Sequence, residues 1–137
     1  MKKILVLCTG NSCRSQMAEG YLKKFAGSRA IVYSAGVEVH GLNPKAVAVM
    51  GEDGVDISGQ TSNHVGEYSD IVFDYVITVC DHARERCPWF PGPTRNFHHD
   101  FPDPARAAGS PQEVMMAFRQ VRDLIREFAM KFVQEYL

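Results

Sequence analysis

Ile4-Leu5-Val6-Leu7-Cys8-Thr9-Gly10-Asn11-Ser12-Cys13-Arg14-Ser15 decides the fold of this chain. The apolar run reads as a buried strand that delivers a cysteine into a loop of small residues, and the loop feeds a helix starting near Arg14. Successive peptide N–H groups in such a loop, together with the helix N-terminus, form a nest for a tetrahedral oxyanion. Thr9, Gly10, Asn11, Ser12, Cys13 and Arg14 are the residues that would line it. The same positive field favours the thiolate of Cys8, so nucleophile and anion site are one construction. Arg14 adds a planar fork that grips two oxygens at once, and Ser15 is placed to hydrogen-bond the thiolate.

Outward from this stretch, strands and helices alternate, which predicts a parallel sheet with helices on both faces. Lys2–Leu7 is the first strand, and Ser15–Phe25 the first helix, with Met17, Ala18, Tyr21, Leu22 and Phe25 on one stripe. Ala30–Ser34 reads as a second strand. Asn43 caps a helix that Pro44 opens and that runs to about Met50. Thr61–Tyr68 is expected to form another short helix, Tyr75–Val79 a third strand and Arg95–His98 a fourth. Val114, Phe118, Val121, Ile125, Phe128 and Phe132 recur at spacings of three and four, so Gln112–Tyr136 is one long amphipathic helix. Ser110 with Glu113 gives it a capping box, and Pro111 sits in its first turn.

The 137 residues read as one domain, 1–137, with 45% hydrophobic residues and a formal net charge of −1. No basic stripe suggests nucleic acid, and no apolar run suggests a membrane. Met1-Lys2-Lys3-Ile4 leads into a strand too short for a signal-peptide core, so a cytoplasmic location is expected. There the reducing poise argues that the cysteines are reactive rather than a structural framework. A four-thiolate zinc site from Cys8, Cys13, Cys80 and Cys87 is disfavoured, because only the first pair has the usual spacing and the metal would block the nest. The histidines His40, His64, His82, His98 and His99 show no spacing that compels a metal.

Cys80 follows Val76-Ile77-Thr78-Val79, and Cys87 stands just before Pro88. If the first and third strands are neighbours, their ends lie about 5 Å apart, and Cys8 and Cys80 can approach each other. Were 81–87 helical, the Cα atoms of Cys80 and Cys87 would be separated by about 10.5 Å. A disulfide tolerates less than about 7 Å, so bonding them needs a loop or a helix that unwinds. Arg84 and Arg86 beside the pair either help keep its thiols ionised or are ordinary surface residues.

Cys8–Ser15 continuing into Gln16-Met17-Ala18-Glu19-Gly20, Tyr33-Ser34-Ala35-Gly36, Asn43-Pro44-Lys45-Ala46, Cys80, Cys87 and Asp103-Pro104 together resemble the low-molecular-weight protein tyrosine phosphatase superfamily. Within it the chain is most similar to the thioredoxin-coupled arsenate reductases. The resemblance implies a flavodoxin-like three-layer α/β fold around a four-stranded parallel sheet. It implies reduction of arsenate to arsenite by a relay: Cys8 as nucleophile, Asp103 as general acid, Cys80 and Cys87 as the redox shuttle, and thioredoxin or another thiol as reductant. A Cys8–Cys80 disulfide is the implied intermediate and Cys80–Cys87 its successor. Cys13 is left open, as a small core residue or as a partner that protects Cys8 by a disulfide.

Phosphatases of the superfamily carry tyrosine after Asp-Pro, proline after Arg-Ser and an aromatic near 38–42. Here those places hold Ala105, Gln16 and Glu38-Val39-His40-Gly41-Leu42. The departures disfavour a phosphotyrosine substrate and leave room for slow phosphatase activity only; a redox-regulated phosphatase is the alternative. No tightly bound cofactor is implied. Some relatives bind potassium with ligands matching Asn11, Glu19 and Ser34, but Asn63 replaces their aspartate, so weak or absent potassium dependence is expected. A monomer is expected.

Overall fold

The computed structural model describes residues 1–79, 90 and 92–137. Cys80, Cys87, His82, Arg84 and Arg86 lie outside the described residues, and with them the shuttle cysteines. The elements are β1 (Lys2–Cys8), α1 (Arg14–Ala26), β2 (Ala30–Gly36), α2 (Pro44–Glu52), β3 (Tyr75–Thr78), β4 (Arg95–His98) and α3 (Pro111–Tyr136). The sheet order is β2-β1-β3-β4 and every pairing is parallel. The chain leaves β1 toward β2 and then crosses back to place β3 on the other side. That reversal opens a crevice at the carboxyl ends of the strands, where doubly wound sheets bind ligands. Cys8 ends β1 at this crevice, and Leu7 pairs with Thr78 as the expected neighbourhood of the first and third strands requires.

Ile4, Leu5, Val6 and Leu7 are all fully buried, so both faces of β1 are covered, as a central parallel strand demands. Met17, Ala18, Tyr21 and Leu22 are the buried stripe of α1, with Phe25 partly buried at its edge. On α3 the buried stripe is Phe118, Val121, Ile125, Ala129, Phe132 and Val133, each large apolar member contributing about 1.5–3 kcal/mol. Its capping box is made in both directions: Glu113 N–H donates to Ser110 Oγ and Ser110 N–H to Glu113 Oε1, each at 3.1 Å. Among the described residues no helix is long and apolar enough to cross a membrane.

One element differs from expectation. Instead of a helix over Thr61–Tyr68, only a short 3-10 turn forms at Val65–Tyr68. The backbone at 61–63 bonds to the cysteine loop and its helix rather than to itself. Thr61 O accepts from Gln16 Nε2 at 3.0 Å, and Asn63 N–H donates to Asn11 Oδ1 at 2.8 Å. His64 then caps the turn through Nδ1, and Glu67 reaches back to the His64 N–H.

Candidate active site

Gly36 ends β2 opposite Cys8. A Cβ at Gly36 would lie 2.6 Å from Glu38 O and 2.7 Å from Thr9 O, so only glycine allows residues 38–40 to run beside the loop. Glu38 N–H donates to Thr9 O at 2.9 Å and His40 N–H to Gly10 O at 3.0 Å. Asn11 O accepts from Gln16 Nε2 at 3.0 Å. Ser12 O accepts from Asn43 N–H at 3.2 Å, and Cys13 O from Met17 N–H at 2.9 Å. All these carbonyls therefore point out of the loop. Because each peptide is planar and trans, the N–H of the following residue points the other way. The N–H groups from Gly10 to Arg14 thus turn into a cleft of about 410 Å³ whose floor includes Cys8, Thr9, Gly10, Ser12, Cys13 and Arg14.

Asn11 holds this curvature. It sits at φ 49°, in the left-handed region that asparagine tolerates better than most residues, and is fully buried. Its Nδ2 donates to Ser15 Oγ at 2.8 Å and Ser34 Oγ at 2.9 Å, while Oδ1 accepts from Asn63 N–H. Its side chain therefore braces the nest from behind and does not enter the cleft; only its backbone serves the anion site. Ser15, also buried, accepts through oxygen and keeps its own proton to donate, which suits the expected bond to the Cys8 thiolate.

Arg14 crosses the cleft. Its Nη1 donates to Phe101 O at 3.2 Å, and Nη2 lies 3.6 Å from Asp103 Oδ2. Its Nε is buried without a hydrogen-bond partner, the one such side-chain nitrogen or oxygen among the described residues. Buried donors are nearly always satisfied, so this one stands out at the edge of the cysteine loop. Asp103 has two tasks. Its Oδ1 accepts from Ala105 N–H at 3.0 Å and caps the turn Pro104–Arg106, while Oδ2 stands between Arg14 and Arg106, the latter at 3.7 Å.

Cys8 and Cys13 are both buried. Burial pushes the Cys13 thiol up to about 11, with Asp103 adding to the rise and the Ser12 hydrogen bond, Arg14 and Asn43 opposing it. A thiol held that high stays protonated at neutral pH.

A cysteine and an arginine joined by an anion nest at the end of β1 form the centre of this cleft. The family model described as low molecular weight phosphotyrosine protein phosphatase matches residues 3–136. The chain belongs to that family. Among members of the low molecular weight phosphatase family, it is 51% identical over 134 residues to an arsenate reductase of Bacillus subtilis, covering 93% of this chain and 95% of that one. A solved structure of an arsenate reductase in oxidized state matches with a TM-score of 0.82 at 32% identity, covering 98% of both chains. Vibrio vulnificus Wzb in complex with benzylphosphonate matches with a TM-score of 0.79 at 25% identity, again covering 98% of both.

The residues matched to a potassium site in this family do come together here. Ser34 Oγ donates to Glu19 Oε1 at 2.5 Å and accepts from Asn11 Nδ2. Glu19 Oε2, however, is paired with Lys23 Nζ one turn along α1. The buried carboxylate already holds a cation from its own helix, and Asn63 supplies no second charge. The set thus offers an alkali ion a carboxylate whose charge is already partnered.

Gln16 and the Glu38–His40 stretch, read from sequence only as departures from the phosphatase pattern, lie behind the loop and at the cleft mouth, where Arg106 joins them. His40 lies against Gly10, and Arg106 reaches Asp103 across the Pro104–Arg106 turn. The chemistry-bearing spacing of the loop gave no signal for either, since both depend on loops that meet only in the fold.

Proposed function

We propose that this chain reduces arsenate to arsenite. The observation that carries the oxyanion part is the orphaned Arg14 Nε beside the turned-in N–H groups above Cys8. The choice of arsenate is supported by the arsenate reductases it resembles at about half identity and by the presence of Cys80 and Cys87. Cys8 thiolate attacks arsenic, an oxygen leaves as water after protonation by Asp103, and a sulfur–arsenic bond forms. Cys80 thiolate then attacks Cys8 sulfur. The electron pair of the sulfur–arsenic bond goes to arsenic, arsenite departs, and two thiols have become one disulfide, matching the two electrons that arsenic gains. Cys87 next displaces Cys8 from Cys80, and a dithiol of the thioredoxin class reduces the Cys80–Cys87 bond. A low-molecular-weight phosphatase with regulatory cysteines is the second reading, favoured by the likeness to Wzb with its bound phosphonate.

The test is a Cys87→Ser variant treated with arsenate and mapped by mass spectrometry. A Cys8–Cys80 disulfide, with one arsenite released per protein, is the expected product. Free thiols throughout, with hydrolysis of an aryl phosphate intact, would put the phosphatase reading in its place.

A further inference from the structure

The mouth of the cleft has two unlike walls. Asp103, Ala105 and Arg106 make one; Glu38 and His40 make the other. The second pair is two residues apart on an extended stretch, so both side chains project to one side. His40 is fixed at three points. Its N–H bonds to Gly10 O, and its ring lies so near Gly10 that a Cβ there would come within 2.2 Å of Nδ1. Its Nε2 lies 2.8 Å from Glu38 Oε2. A half-exposed pair of this kind adds little stability, but it sets where the ring stands.

In-line attack by Cys8 puts the departing group opposite the sulfur, at this mouth. In inorganic phosphate or arsenate that group is a lone oxygen. In an ester or a phosphonate the outward substituent must pass between the edge of the His40 ring and the Asp103–Arg106 charges, the two walls that the described residues give the mouth. We infer that His40 is a specificity-determining residue that restricts the cradle to tetrahedral anions with no organic substituent on the outward side. Glu38 is its positioning residue. The inference rests on the oxyanion reading of the Cys8 cradle and adds the device that selects among oxyanions.

The experiment is alkylation of Cys8 by iodoacetamide in the full chain, followed by peptide mass spectrometry. Protection is titrated with inorganic phosphate and, separately, with benzylphosphonate. Phosphate is expected to protect the wild type at a concentration at least about tenfold lower than benzylphosphonate does, well above the factor a single weak contact supplies. In His40→Ala the ratio falls at least about fivefold through tighter phosphonate binding, and in Glu38→Gln at least about twofold. A ratio unchanged or widened in His40→Ala overturns the inference. If that variant unfolds or loses phosphate as well, Glu38→Gln decides, and an unchanged ratio there overturns it. Should phosphate fail to protect wild-type Cys8 at all, the cradle reading itself falls and takes this inference with it.

Discussion

Arg14 shows why one guanidinium does what no ammonium could. Nη1 is committed to Phe101 O and Nη2 faces Asp103, yet Nε still has a donor with no partner among the described residues. A lysine has a single head and must give up either the anchor or the anion. Arg14→Lys is therefore expected to weaken inorganic phosphate binding by about 2 kcal/mol, close to thirtyfold, measured by calorimetry or by protection of Cys8. Its melting temperature should fall only modestly, because one lysine head can keep either the Phe101 O anchor or the Asp103 pairing but not both. Residues of this kind were legible from spacing: a cysteine, a small-residue loop and Arg-Ser state their geometry locally. His40 and Gln16 were legible only as departures from the phosphatase pattern; their contacts were not, because each finds its place only when a distant segment closes on the loop. Asn11 falls between the two. Its backbone belongs to the visible motif, but its side chain serves Ser34 and Asn63, which no local pattern discloses.

The elements were legible where their reasons are local. The capping box of α3, Asn43 and Pro44 opening α2, and the apolar run of β1 all formed as the residue types dictate. Residues 61–63 escaped because Gln16 and Asn11 take up their backbone groups, a contest that helix propensity cannot report. A prediction belongs to this scale, at the junction of α1 and β2. Lys23 pairs with Glu19 from the next turn of the helix, so the carboxylate buried beside Ser34 has its cation built in. Arsenate reduction is expected to change less than about twofold between potassium and sodium chloride at equal ionic strength, the range that ionic strength alone would not produce. Lys23→Ala should lower the melting temperature, since it leaves a buried carboxylate unpaired, and should make that temperature higher in potassium than in sodium. A strong potassium activation of the wild-type rate would refute the built-in cation.

At the scale of the whole molecule, three helices are tied behind the sheet by one polar knot. Tyr21, its ring buried in α1, donates to Asp53 Oδ2 at 2.6 Å, just past the end of α2. Arg126 from α3 donates to the same oxygen at 2.9 Å, and Arg122 donates to Val49 O at 3.0 Å. The Tyr21 hydroxyl first, and the Arg126 guanidinium after it, hold the Asp53 carboxyl below its ordinary range despite partial burial. Burial first, and the same contact with Asp53 after it, push the Tyr21 phenol well above its ordinary value. A carboxyl depressed in the folded state adds stability above its unfolded pKa, near 4, and loses that contribution as pH falls through the lower folded value. Asp53→Asn keeps an acceptor for Tyr21 but not the charge, so it should cost about 1 kcal/mol at pH 7 in urea unfolding. The gap between wild type and variant should stay constant from neutral pH to about 5 and close below about 4, where protonation removes the charge from the wild type too. A gap that persisted undiminished at pH 3 would mean that the knot holds the helices by shape alone. The carboxylate charge would then play no part in keeping α1, and the loop that leads into it, against α3.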